Sequence, residues 1–90
     1  IEFFKEAWGA FARNFQEFVK LRDNNSPEDY LVVADTARKL KILFERIAEA
    51  HKIRLVNIKS FTEYFETAIK RCDDTYKNKT KENTPKKFEF

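Results

Sequence analysis

The stretch PEDYLVVADTARKLKILFERIAEAHKIRLVNIKSFTEYFETAIKRC, residues 27–72, decides the fold of this chain of 90 residues. Its apolar residues recur in alternating steps of four and three, and this spacing places them on one face of an α-helix. The positions that follow this spacing are Val33, Ala37, Leu40, Phe44, Ile47, His51, Arg54, Ile58, Phe61, Phe65, Ala68 and Cys72. All of them except His51 and Arg54 are apolar, so the stretch predicts amphipathic helix along almost its whole length.

Two arrangements fit this stretch, and they differ in whether the helix breaks. No Gly or Pro lies between Pro27 and Pro85, which fits a short first helix followed by one long coiled-coil-like helix in an elongated dimer. Residues 51–57 favour a break, because apolar and β-branched side chains crowd there without a clean face. Asn57 or Ser60 is a candidate cap of a new helix, and Glu63 completes a capping box with Ser60. We favour the break, which predicts an all-α, three-helix antiparallel bundle.

The polar segment DNNSP, residues 23–27, marks the start of the second helix. Ser26 is a residue type preferred at the N-cap, and Pro27 fits the first helical position. Glu28 and Asp29 then place negative charge at the positive end of the helix dipole. We therefore predict that a helix begins at Pro27.

An aromatic stripe at helical spacing precedes this start. Its members are Phe4, Trp8, Phe11, Phe15 and Phe18. The predicted helices are about 3–23, 27–52 and 58–79, and together they form one helical domain over residues 1–81. The remaining segment, 82–90, is Lys-rich and contains Thr84-Pro85, so we predict a flexible basic tail there.

The composition limits the class of protein. One Gly and two Pro disfavour a β-rich fold, because hairpins use both residues. A hydrophobic share of 42% is too high for a disordered chain, and a charged share of 37% is too high for a membrane span. Cys72 is the only cysteine, which excludes an internal disulfide and suits a buried thiol in a reducing compartment. We expect a cytoplasmic protein, with peripheral membrane attachment as an alternative.

The sequence offers few groups for catalysis. It has one histidine and lacks a Gly-rich phosphate loop and a serine nucleophile elbow. Arg46-Ile-Ala-Glu-Ala-His51 resembles the short Arg…His signature of the HEPN-type RNases, and this resemblance implies phosphodiester cleavage as a remote alternative. We predict a protein that is not an enzyme, with no cofactor, no metal and no small-molecule substrate.

The excess of aromatic residues near the start points to an interaction module. Phe3 and Phe4 are adjacent on a helix and cannot share one narrow stripe, so one of them is expected to point outward. We predict partner binding by Phe3, Phe4 and Trp8 as anchors, with Arg13 and Lys20 as rim charges. The expected partner is a helix of another protein or a second copy, in a scaffold module of a larger intracellular protein. Nucleic acid is not expected, because the aromatic side chains are predicted to be buried.

Three short segments carry a resemblance to a known superfamily. The segments Phe44–His51 (FERIAEAH), Ile58–Phe61 (IKSF) and Ile69–Asp74 (IKRCDD) resemble the middle helices of BAR and F-BAR domains. The resemblance implies an elongated antiparallel dimer of long helices that binds curved, anionic membranes through a basic face. The basic residues proposed for such a membrane site are Lys39, Lys41, Lys52 and Lys59.

Overall fold

The structure is a computed structural model that describes residues 2–21 and 24–87, with side chains as far as Thr80. Helix α1 spans Glu2–Lys20 and helix α2 spans Pro27–Ala50. A short 3-10 turn, Leu55–Ile58, leads directly into helix α3, Lys59–Lys87. The predicted all-α, three-helix bundle is therefore confirmed. The alternative with one long helix is wrong, because the chain turns back between α2 and α3.

Helix α2 begins where the sequence predicts. Ser26 is its N-cap in extended conformation, and Pro27 takes the first helical position. The backbone N–H of Ser26 donates to Oδ2 of Asp29 at 3.0 Å. The side-chain amide of Asn25 donates to the carbonyl oxygen of Phe18 at 2.7 Å, which connects this start to the end of α1.

The break after α2 is made by a turn that the sequence did not suggest. The N–H of Ile53 donates to the carbonyl of Ala48 at 2.7 Å, and the N–H of Lys52 donates to that of Glu49 at 3.2 Å. These two bonds form a Schellman motif, in which the residue after the cap adopts a left-handed conformation. That residue is Lys52, with φ of 58°, although glycine usually occupies the position. The caps considered at Asn57 and Ser60 are wrong, since Asn57 lies within the 3-10 turn and α3, which follows directly, already includes Ser60.

The helix ends differ from the predicted bounds. Helix α1 ends at Lys20 and α2 at Ala50, slightly before the predicted 23 and 52. Helix α3 continues beyond the predicted 79 to Lys87 and includes Pro85, a residue type that disfavours a helix interior. The added segment lacks Gly, and its Lys residues are good helix formers. The flexibility of the tail 82–90 stays a prediction, and residues 88–90 lie outside the described part of the chain.

The three helices run up, down and up. Phe4 of α1 packs on Phe44 of α2 with ring centroids 4.9 Å apart, and near the other end of α1 Phe18 packs on Tyr30 at 4.7 Å. Helices α1 and α2 are therefore antiparallel. Helices α2 and α3 are antiparallel as well, because Arg38 pairs with Asp73 at 2.9 Å whereas Phe44, later in α2, packs on Phe65, earlier in α3, at 5.0 Å.

Small side chains let α2 and α3 approach closely, whereas large rings separate α1 from both. The fully or almost fully buried alanines lie on the two closely packed helices: Ala34, Ala37, Ala48 and Ala68. The buried residues of α1 are mostly Phe, and their rings bridge to α2 and α3. The Cα radius of gyration is 16.0 Å, above the roughly 12 Å of a compact domain of this length. The cause is that α2 and α3, with 24 and 29 residues, extend beyond the 19 residues of α1.

Candidate functional site

The adjacent pair Phe3 and Phe4 is divided between solvent and core. Phe3 is 53% exposed, whereas Phe4 is 1% exposed and packs on Phe44. The expectation that one of the two points outward is confirmed. Because the ring of Phe4 is enclosed within the bundle, it supports the fold, and among the predicted anchors Phe3 is the one that faces outward.

Trp8 lies in the seam between α1 and α3. Its ring contacts Phe61 at a centroid distance of 5.8 Å and Tyr64 at 5.6 Å. The indole Nε1 is buried and has no hydrogen-bond partner among the described residues. Trp8 is thus half-buried and packed against the core, and its role as an anchor stays a prediction.

The predicted rim charges, Arg13 and Lys20, do not lie beside Phe3. Both are exposed, and Nζ of Lys20 pairs with Glu17 at 3.3 Å. At 1.5 Å per residue they lie roughly 15 Å and 25 Å along α1 from Phe3. The structure therefore does not bring these charges together with the exposed ring.

One end of the bundle carries an apolar surface, which we call the end patch: Phe3, Ile47, Ile53, Leu55 and Val56. An open groove of about 470 Å³ is lined by Phe3, Ile47 and Ile53, together with Phe4 and His51. Ile53 also borders a neighbouring hollow that is lined by Leu55, Glu45 and Glu49. The surface therefore continues from the start of α1 to the α2–α3 connection, and two carboxylates stand at its α2 edge. Leu55 is 57% exposed and Val56 66% exposed. Sequence reasoning did not identify them as a site, and their only signal was the lack of a clean helical face.

Basic side chains surround the outer part of the end patch. Lys52, Arg54 and Lys59 are all exposed, and the described residues offer none of them an ion-pair partner. No Asp or Glu occurs between Ala50 and Thr62. The α2–α3 connection is therefore locally positive in a chain whose other charges are mixed.

The four predicted membrane-binding lysines fall into two groups. Lys52 and Lys59 border the end patch. Lys39 lies on α2 and pairs with Asp35 at 2.9 Å, and Lys41 reaches Glu45 at 3.4 Å and Glu66 at 3.5 Å. The structure therefore does not unite the four on one unpaired basic face.

Arg46 and His51 do not form a common site. Five residues of α-helix separate two side chains by roughly 140° around the axis. His51 is the C-cap of α2 and lines the groove of the end patch, whereas Arg46 is exposed on a different face. The two side chains therefore do not share one face of α2, and RNA cleavage stays a remote prediction.

Cys72 is a buried thiol, as predicted from its position on the apolar stripe. Burial raises the pKa of this thiol to about 11, with a further increase from Asp73 and a smaller opposing effect of Arg71. A thiol with such a pKa is protonated at neutral pH and is a poor nucleophile.

Neither a metal site nor a membrane span stands out. The described residues contain no cluster of three or more His, Cys, Asp or Glu side chains suited to a metal ion. Within the same part of the chain, no helix combines the length and apolar character needed to cross a bilayer.

No family model matches the chain, and neither the curated proteins nor the solved structures contain a match. The resemblance to BAR and F-BAR domains therefore stays a prediction.

Proposed function

We propose that this chain is a non-catalytic interaction module that binds an amphipathic helix of a partner protein on the end patch. The observation that carries the proposal is an open groove beside the exposed ring of Phe3, with Leu55 and Val56 exposed on the adjoining α2–α3 connection. The other described rings of the bundle are largely buried. Contiguous exposed apolar surface with a polar rim is typical of a protein-binding site. Helices commonly fill such grooves with two or three apolar anchors.

The positive charge next to Leu55 and Val56 favours a partner with acidic residues at that place. Lys52, Arg54 and Lys59 are unpaired within the described chain, and they stand next to Leu55 and Val56. A partner helix with Asp or Glu next to its apolar anchors satisfies these charges and avoids leaving them desolvated. The expected ligand is therefore an acidic amphipathic helix.

The test is selection of displayed helical peptides on the wild-type chain, followed by affinity measurement against variants. We expect the selected peptides to carry acidic residues flanking apolar anchors. The double variant Leu55→Ser/Val56→Ser should lose at least about tenfold in affinity, because the anchors lose their apolar contact. The matched control is Leu21→Ser, since Leu21 is 53% exposed at the opposite end of α1. Peptides that bind both variants equally well would contradict the assignment of the end patch.

A second candidate is docking on anionic membranes through the same end of the bundle. It is favoured by the pairing of two exposed apolar side chains, Leu55 and Val56, with three unpaired basic ones. Each Lys or Arg near an anionic surface contributes about 1 kcal/mol, and inserted apolar side chains add to it.

Co-sedimentation with phosphatidylserine-containing vesicles over a salt series distinguishes this candidate. Binding should weaken with salt and be lost in Lys52→Glu/Lys59→Glu. The control is Lys39→Glu, because Lys39 lies away from the end patch and is paired with Asp35. No sedimentation at low salt, or equal loss in the control, would remove the membrane candidate.

A further inference from the structure

The face of α2 that points away from the core carries a self-complementary pattern. Positions at equal distance on either side of Ala37 match as an acid with a base, or as an apolar residue with an apolar residue. The matching pairs are Asp35 with Lys39, Val32 with Ile42, Leu31 with Leu43, and Glu28 with Arg46. All eight side chains are exposed, whereas Ala37 itself is buried against the rest of the bundle.

The apolar members of this set have no partner within the bundle. Leu31, Val32, Ile42 and Leu43 are between 41% and 64% exposed. The buried face of α2 is formed by other residues, including Ala34, Phe44 and Ala48. Four large apolar side chains on the outer face of one helix are more than solubility favours, and this excess indicates a contact surface.

We propose that this face is the contact surface of a symmetric dimer with a second copy of the chain, in which the two α2 helices run antiparallel. A two-fold axis that crosses this outer face at the level of Ala37 along the helix places Leu31 and Val32 against Ile42 and Leu43 of the second copy. In a two-fold interface each contact occurs twice, so the apolar groups form two equivalent clusters. This surface is separate from the end patch, so the proposal goes beyond the function proposed above.

The charged residues of this face favour a second copy of the chain as the partner and favour an antiparallel arrangement of the two α2 helices. Antiparallel pairing puts Glu28 opposite Arg46 of the second copy, and Asp35 opposite Lys39 of the second copy. Parallel pairing would place each charged residue opposite the same residue of the second copy, so that like charges repel. Asp35 and Lys39 already pair within the chain at 2.9 Å, so two such pairs would form a four-charge cluster at the centre. Glu28 and Arg46 form no ion pair with the described residues, and the dimer supplies one to each.

The size of this surface indicates the affinity that we expect for the dimer. Leu31 and Leu43 are about 18 Å apart along the helix, and a contact of one helix over this length lies at the small end of specific interfaces. We expect a dissociation constant of about 10 µM to 1 mM, with dimers forming where the chain is concentrated.

Sedimentation equilibrium of the full chain across that concentration range tests the proposal. Glu28→Arg and Arg46→Glu should each weaken dimerisation at least about tenfold, because each change creates two like-charge contacts. An equimolar mixture of the two variants should dimerise as the wild type does, since the altered position 28 of one chain then faces the altered position 46 of the other. The double variant Glu28→Arg/Arg46→Glu should regain dimerisation for the same reason.

The matched controls are Glu63→Arg and Lys70→Glu, which change the same charges on the exposed side of α3. Both should dimerise like the wild type, as should Leu55→Ser/Val56→Ser, so failure of this proposal is distinguishable from failure of the end patch. A wild type that stays monomeric throughout, single variants that match their controls, or a mixture no stronger than its components would each overturn the proposal. If one single variant loses its helical circular dichroism signal, the double variant provides the test: a folded double variant that stays monomeric would overturn the proposal.

Discussion

The α2–α3 pair and helix α1 are joined to the same core by opposite means. Between α2 and α3 small residues, among them Ala34, Ala37 and Ala68, let the two backbones come close. Nearer the α2–α3 connection the ring of Phe44 packs on Phe61 and Phe65. Helix α1 lies farther away and reaches the others through rings, such as Phe4 on Phe44 and Phe11 on Phe65. The difference teaches that the close approach of the α2 and α3 backbones requires small side chains at the alanine positions. The contact of α1 is instead made mainly by large aromatic side chains.

The largest expected effect comes from removing volume on the α1 side. Phe4→Ala should destabilise the chain by about 3–5 kcal/mol, because it leaves a cavity beside Phe44. The neighbouring change Phe3→Ala should alter stability by no more than about 0.5 kcal/mol, since Phe3 is exposed. Urea denaturation followed by circular dichroism measures both. Equal losses in the two variants would contradict the division of this pair between core and solvent.

Adding volume on the α2–α3 side should have the next largest effect. Ala37→Leu is expected to cost about 1–3 kcal/mol or more, because Ala37 is fully buried and the helices must separate to admit the larger side chain. The control is Ala10→Leu, an exposed position on α1, where the change should be nearly neutral. Urea denaturation measures the change in stability of both variants. An Ala37→Leu variant as stable as the wild type would show that the interface between α2 and α3 is loosely packed.

The pH dependence of stability tests how well the α2–α3 side excludes water. Folding raises the pKa of the Cys72 thiol from 9.0 to about 11. Below pH 9 both states hold the proton, and above it the unfolded state ionises first, so stability falls with rising pH between 9 and 11. Compared with Cys72→Ala, the wild type should lose about 1 kcal/mol between pH 8 and pH 10. Parallel curves for the two proteins would indicate a wetter seam.

The smallest expected effect is a gain at the turn that joins α2 to α3. Lys52 has a φ of 58°, a conformation that costs a residue with a β-carbon roughly 1–2 kcal/mol. Lys52→Gly should therefore stabilise the chain by about 0.5–1 kcal/mol, after the greater entropy of glycine in the unfolded state is subtracted. Lys52→Ala removes the same charge but keeps the β-carbon. A similar gain in both variants would attribute the effect to charge.

The candidate site shows how far sequence reasoning reaches. Phe3 was identified because two adjacent aromatic residues cannot share a stripe, and Lys52 because it belongs to a basic group. Leu55 and Val56 were missed as site residues, because exposure depends on where the chain turns. Trp8 was predicted as an anchor, yet α3 covers its ring, and no local pattern reveals which neighbour a helix face will contact.

By itself the sequence determined the elements whose causes are local. The helical content follows from apolar spacing and the shortage of Gly and Pro, and the start of α2 follows from Ser26, Pro27 and Asp29, which interact over a few residues. Apolar crowding in residues 51–57 favoured a break there, and only the tertiary structure decided how the chain turns at that point. Lys52 adopts a left-handed backbone conformation that a residue with a β-carbon disfavours. The turn it makes allows Phe61 and Phe65 to pack on Phe44, and this contact between residues distant in the chain offsets the cost.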